Sequence, residues 1–245
     1  MKKLDFDLVI PIYNEGYNVV KLIKIIKKNI KKKKFNIIFC YDSKNDNIFN
    51  YKKDLKKINL PIYFSKNPSF GPCSAVINGL KTSKSNCKIV YPADDFINTK
   101  LISRMHSLYL SKKSDIIVAS RFIKGGSMKG CPIFKSIIVR LASWSLYTFS
   151  SIPVKDASNG FRLFSHNLLK KVKLESKLGF AYSLELLVKC ERLELKISEV
   201  PAKWEERTEG SSNFKILNWL PQYIKWYLYG LETYWLKKKY PINLN

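Results

Sequence analysis

The first 120 residues alternate short β-branched and aromatic runs with longer stretches of helical periodicity, and few folds accept that order. FDLVIPI (6–12), FNIIFCY (35–41), PIYFS (61–65), CKIVYP (87–92) and DIIVAS (115–120) read as strands. Helices are predicted between them over 17–30, 46–58, 72–82 and 98–111. The first carries Val20, Ile23, Ile26 and Ile30 on one stripe, and the third opens on Gly71-Pro72, where proline suits a first turn. The strands are apolar on both faces, as in a mostly parallel sheet covered by helices on each side. In such sheets ligands sit at the carboxyl ends of the strands.

The residues at those ends are polar and acidic: Tyr13-Asn14-Glu15, Asp42 with Asp46, Pro92-Ala93-Asp94-Asp95, and Arg121. Any one of them reads as readily as a cap or turn residue. Their convergence on one edge of an apolar sheet points to a binding site.

Composition narrows the partners. The 245 residues include 44 Lys+Arg against 19 Asp+Glu, a formal charge of +25, so an anionic partner is expected. A 46% hydrophobic content excludes a disordered chain. Five scattered cysteines without a Cys-x-x-Cys, and two histidines 60 positions apart (His106 and His166), give neither a disulfide framework nor a zinc site and fit a reducing compartment. MKKLDFDLVIPIYNE lacks the apolar run of a signal peptide, and no run of 18 apolar residues predicts a membrane span. There is no internal repeat. The basic residues follow no recognised nucleic-acid motif, so nucleic acid is not the expected partner.

Seven motifs occur in order: IPIYNE (10–15), YDSKND (41–46), the pair Asp94-Asp95, SRFIKGG (120–126), DASNGFRLFS (156–165), SLELLVKC (183–190) and EVPAKWEERTEGSSNF (199–214). Together they resemble a family 2 glycosyltransferase of the GT-A fold, most like dolichyl- or polyprenyl-phosphate mannose or glucose synthases. The resemblance spans about residues 5–230. It implies an α/β fold with a Rossmann-like, mostly parallel sheet, a nucleotide-diphosphate sugar donor, a divalent Mg²⁺ or Mn²⁺ ion and inversion at the anomeric carbon. It also implies a catalytic domain over 1–213, and 214–245 as an amphipathic aromatic helix with a basic tail.

The resemblance assigns Pro11, Tyr13, Asn14, Glu15, Asp42 and Asp46 to the nucleotide, with Ser212 at the donor diphosphate. A carboxylate there can accept from a base edge or ribose hydroxyls. Asp94 matches the second carboxylate of the family's Asp-x-Asp, where a metal would bridge the diphosphate. Pro92 replaces the first, and Asp95 is the substitute at hand, although neighbours on an extended chain point to opposite sides. Tyr41-Asp42-Ser43 stands where the family commonly has Asp-Asp-Gly. Arg121 matches an arginine that faces an acceptor phosphate, with a salt bridge to Asp94 or Asp95 as the alternative. Asp156 borders the acceptor: a general base if the acceptor is a hydroxyl, an orienting group if it is a phosphate, or a turn residue. Arg162 is expected to pair with an inward acid such as Glu185. Arg207 lies in a Gly-Ser-rich stretch that resembles a loop closing on the diphosphate.

Residues 27–34 (KKNIKKKK) read as a solvated helix end or as a contact for anionic headgroups. Residues 133–149 and 217–236 are aromatic and amphipathic, suited to a membrane interface, to the protein's own core or to a dimer face. The expectation is a cytoplasmic, peripherally membrane-associated enzyme acting on a polyprenyl phosphate. A cell-surface glycan hydroxyl as acceptor, or a non-catalytic nucleotide-sugar-binding homologue, are the alternatives.

Overall fold

The computed structural model describes residues 4–205 and 216–238, with backbone alone at 216 and 217. Strands β1 (Phe6–Ile12), β2 (Phe35–Tyr41), β3 (Ile62–Lys66), β4 (Cys87–Val90) and β5 (Ile116–Ser120) alternate with helices α1 (Tyr17–Asn29), α2 (Lys52–Lys57), α3 (Pro72–Thr82) and α4 (Thr99–Lys112). Then come β6 (Ser127–Lys129), α5 (Ile133–Phe149), β7 (Arg162–Ser165), α6 (His166–Lys171), α7 (Ala181–Arg192), β8 (Ile197–Pro201), β9 (Lys203–Glu205) and α8 (Ile216–Trp235). The main sheet has seven strands in the order β3-β2-β1-β4-β7-β5-β8, and β6 pairs with β9 in a separate ribbon.

Side chains alternate across the sheet as a period of two requires. Phe6, Leu8 and Ile10 join one core, with Phe35, Ile37 and Phe39 of β2 and the buried stripe of α1. Val9, Ile38 and Cys40 point the other way, into a core shared with α3, α7 and Trp226 of α8. The result is a helix–sheet–helix sandwich, the α/β, GT-A-like class read from the sequence.

Two departures have local causes. The stretch expected as one helix over 46–58 is a 3-10 turn (Asn47–Tyr51) followed by α2, because Asp46 caps the turn by accepting from Ile48 N at 3.0 Å. β7, which the alternation did not disclose, lies antiparallel between β4 and β5. The chain returns from α5 at the carboxyl edge, where Asn159 Nδ2 donates to Ala119 O at 2.6 Å. A strand that starts at that edge can only run down the sheet.

Candidate active site

The loops after β1, β2 and β3 are laced together by short polar side chains. Asp46 Oδ2 accepts from Asn14 N at 2.9 Å, and Asn47 Oδ1 accepts from Gly16 N at 2.8 Å. Asp42 Oδ1 accepts from Asn67 Nδ2 at 2.8 Å and its Oδ2 from Gly71 N at 3.0 Å. Gly71 has φ +98°, a conformation L-residues rarely adopt, and this turns its N–H toward Asp42. Both aspartates therefore hold the frame of the edge, with Pro11 next to last in β1 and Tyr13 exposed just beyond its end. Asn47 and Asn67 were not singled out in the sequence; Asn67-Pro68 ahead of Gly71-Pro72 is a turn signal that marks the second of them.

β4 stops at Val90, and Tyr91–Asp95 form a turn at its carboxyl end. Tyr91 OH donates to Asp95 O at 2.7 Å. The Asp95 carboxylate accepts from Ile97 N and Asn98 N at 3.0 and 2.9 Å on one oxygen, and from Asn98 Nδ2 at 2.7 Å on the other. Burial pushes the Asp95 carboxyl up, partly offset by these bonds. Among the described residues no three His, Cys, Asp or Glu side chains converge on a metal position. The Asp94 carboxylate is an oxygen donor of the kind that would take Mg²⁺ or Mn²⁺, ions that accept one or two carboxylates together with phosphate oxygens.

Arg121 follows β5 and meets neither Asp94 nor Asp95 in an ion pair; its partner is the fully buried Asp156. Nε donates to Asp156 Oδ2 at 2.7 Å and Nη2 to Oδ1 at 2.8 Å, a bidentate fork, and the Arg121 backbone N–H adds a third bond at 3.0 Å. Ser158 N and Asn159 N also donate to Asp156. Burial pushes the Asp156 carboxyl up, but the bonds and charge of Arg121 outweigh it and hold the carboxyl below its ordinary value. Arg121 Nη2 further donates to Ser158 Oγ at 2.6 Å, and Nη1 meets the sulfur of Met128, a weak acceptor. Gly126 permits the tight turn after β5, since a Cβ there would lie 2.6 Å from Ser120 O. Two guanidiniums approach the Phe122 ring, Arg121 at 5.1 Å and Arg140 of α5 at 4.5 Å from its centroid.

The expected Arg162–Glu185 pair does not form. Arg162 is fully buried and donates to three carbonyls, Asn159 O, Ser183 O and Ala157 O, so it staples the 156–160 loop. Burial lowers its pKa to about 10. Glu185 pairs with Lys189 at 2.6 Å, four residues along α7, and accepts from Glu175 N and Ser176 N. Spacing by one helical turn favours that partner. Arg207 and Ser212 lie outside the described residues.

Helix α5 buries two of its seventeen residues, Ser143 and Leu146. Phe134 is 77% exposed and Trp144 56%, with Ile137, Ile138 and Leu141 also open. α8 packs beside it through Ser145 Oγ and Tyr227 OH, 2.7 Å apart, and exposes Leu220, Ile224 and Leu228 at helical spacing. Among the described residues no helix is long and apolar enough to cross a membrane.

Comparison with known proteins agrees with this fold. The sequence model described as Glycosyl transferase family 2 matches residues 7–175. A dolichol-phosphate mannosyltransferase of Pyrococcus furiosus is 25% identical over 229 residues, covering 89% of this chain and 63% of that protein. A dolichyl-phosphate beta-glucosyltransferase of Trichomonas vaginalis is 25% identical over 215 residues, covering 81% of this chain and 65% of that one. The chain thus spans somewhat under two thirds of the length of both. Among solved structures, glucosyl-3-phosphoglycerate synthase from Mycobacterium tuberculosis, in complex with Mn²⁺, UDP and glucosyl-3-phosphoglycerate, superposes with a TM-score of 0.68 at 15% identity, covering 94% of this chain and 80% of that one. That likeness is one of fold.

Proposed function

Because the chain belongs to glycosyl transferase family 2, we propose that it transfers a sugar from a nucleotide-diphosphate sugar to a polyprenyl phosphate at a membrane surface, with inversion. An acceptor phosphate oxygen attacks the anomeric carbon from the face opposite the diphosphate. The carbon–oxygen bond to the diphosphate breaks and its electron pair leaves with the nucleotide.

The observation that carries this reading is the Arg121–Asp156 pair. A general base must be able to take a proton. Asp156 is buried, bonded on both oxygens and held ionised by Arg121, so it is suited to orienting rather than to proton transfer. A phosphate acceptor is already anionic and needs no base. Arg121 Nη1, set against a sulfur, can trade it for a phosphate oxygen, a far stronger acceptor.

In this reading Asp94 holds Mg²⁺ or Mn²⁺, which supplies charge stabilisation to the departing diphosphate. The frame built by Asp42, Asp46 and Asn14 presents Tyr13 and Glu15 to the nucleotide. Arg207 and Ser212 are assigned to the diphosphate. α5 and α8 rest on the bilayer interface through their exposed apolar residues, and the +25 charge draws them to anionic lipid. Arg140, on α5 and over Phe122, then sits between that interface and Arg121.

The test is calorimetric titration with UDP and GDP, with and without Mn²⁺, followed by transfer to polyprenyl phosphate in anionic vesicles. One nucleotide should bind more tightly with metal. Arg121→Ala should lower transfer about 100-fold, as loss of one aligned charge-stabilising donor does, while nucleotide affinity holds. Transfer to a sugar hydroxyl with no turnover of the lipid phosphate would overturn the reading.

A further inference from the structure

Asn98 occupies the N-cap position of α4, and asparagine at that position ordinarily accepts from the amides of the first turn. Here the side chain makes no such bond. It is buried and spends its capacity elsewhere: Oδ1 accepts from Lys203 N at 3.0 Å, while Nδ2 donates to Lys203 O at 2.6 Å and to Asp95 Oδ2 at 2.7 Å. That is a two-point, backbone-like bond from the turn after β4 to β9, 105 residues away in sequence. We infer that Asp95 is a positioning residue: it fixes Asn98, and Asn98 latches β9 to the turn that carries Asp94.

The latch joins the two halves of the edge. β9 is in register with β6, Lys203 opposite Ser127 and Trp204 opposite Met128. Met128 in turn receives Arg121 Nη1. A continuous path of contacts therefore runs from the Asp94-Asp95 turn through Asn98, β9 and β6 to the arginine paired with Asp156. Asp95 is suited to this work. One of its oxygens already accepts two backbone N–H bonds and the other the Asn98 amide, leaving it little to offer a metal. Pro92 removes one carboxylate of the family's motif, and the latch assigns the neighbouring carboxylate to geometry rather than to replacing it. What crosses the path is alignment, so the loss should appear in turnover more than in donor affinity.

The activity arm rests on the transferase reading above; the exchange arm rests on the hydrogen bonds alone. Asp95→Ala and Asn98→Ala should each speed amide exchange at Lys203 by about five- to ten-fold, the worth of one hydrogen bond. Unchanged exchange there in both variants overturns the latch. Asp94→Ala should abolish the Mn²⁺-dependent gain in UDP or GDP affinity, whereas Asp95→Ala and Asn98→Ala should keep it within about two-fold. Loss of that gain in Asp95→Ala makes Asp95 a metal ligand and overturns the inference. In transfer, Asp95→Ala and Asn98→Ala should lower kcat about ten-fold with donor KM nearly unchanged, and the double variant should be no worse than either, as members of one network behave. Asp95→Asn keeps an acceptor for the backbone amides; it should recover part of the loss and guards against a variant that fails to fold. If the wild-type protein binds neither nucleotide, the transferase reading falls while exchange at Lys203 still decides the latch.

Discussion

Helices α5 and α7 are alike in composition and opposite in burial. Seven of twelve residues of α7 are apolar, and eleven of seventeen in α5. Yet α7 buries ten residues, including Ser183, Glu185 and Lys189, while α5 buries two. α7 packs into the core on one face of the sheet, so even Glu185 and Lys189 are enclosed and must pair: Lys189 Nζ meets Glu185 and Glu175 at 2.6 and 2.8 Å and also the Lys173 carbonyl. It lies 4.6 Å from the Trp226 ring, which ties α8 to the same cluster. α5 follows β6 of the separate ribbon and leaves most of its apolar side chains exposed. That exposed apolar face is the one the proposed bilayer contact would use. Apolarity alone sets neither outcome; position relative to the sheet does.

The contrast breaks most visibly in α7. Lys189→Ala strands the fully buried Glu185 carboxylate, and urea unfolding should report a loss of about 3–5 kcal/mol. A loss below about 1 kcal/mol would mean that the pair is not enclosed.

A smaller effect is expected on the other helix. Phe134→Asp with Leu141→Asp should weaken flotation with anionic vesicles by at least about 100-fold, since each large apolar side chain is worth about 1.5–3 kcal/mol when it leaves water. Undiminished flotation would remove α5 from the interface. The same double variant should shift folding stability by no more than about 0.5 kcal/mol per site, because both side chains are already exposed.

The Arg121–Asp156 pair gives the mildest signature, through pH. The Asp156 carboxyl is held below its ordinary value, so as pH falls the unfolded chain takes up that proton before the folded one does. The pair's contribution is therefore complete at neutral pH and drains away below about pH 5, through the ordinary aspartate range near 4. Across pH 7 to 3 the wild-type protein should lose more stability than Asp156→Asn. The difference between them isolates this carboxylate from Asp95, Glu191 and Glu199, whose pKa values burial pushes up. Parallel profiles would show that Asp156 is not held ionised by the fold.

Legibility in the sequence followed range. FDLVIPI and FNIIFCY are strands to the residue, and 133–149 is the helix its pattern described. There the signal is the periodicity of the segment itself. The position of Arg121 at the sheet edge was legible too, but not its pairing with Asp156. The two lie 35 residues apart, and several acids stood within nominal reach of the arginine. Asn98 read as no more than a helix start, because its partner, Lys203, is set by a ribbon that no local pattern announces.

The sequence by itself determined the alternation of strands and helices, the two-sided burial of the sheet and the set of polar residues at its carboxyl edge. Each follows from side-chain period and turn chemistry along the chain. The tertiary structure alone decided which partners those residues take: Asp156 for Arg121, carbonyls for Arg162, Lys189 for Glu185, β9 for Asn98. It also decided that α7 lies inside and α5 outside. Hydrogen bonds and burial depend on what the folded chain brings within about 3 Å, and over most of these separations sequence spacing says nothing of that distance.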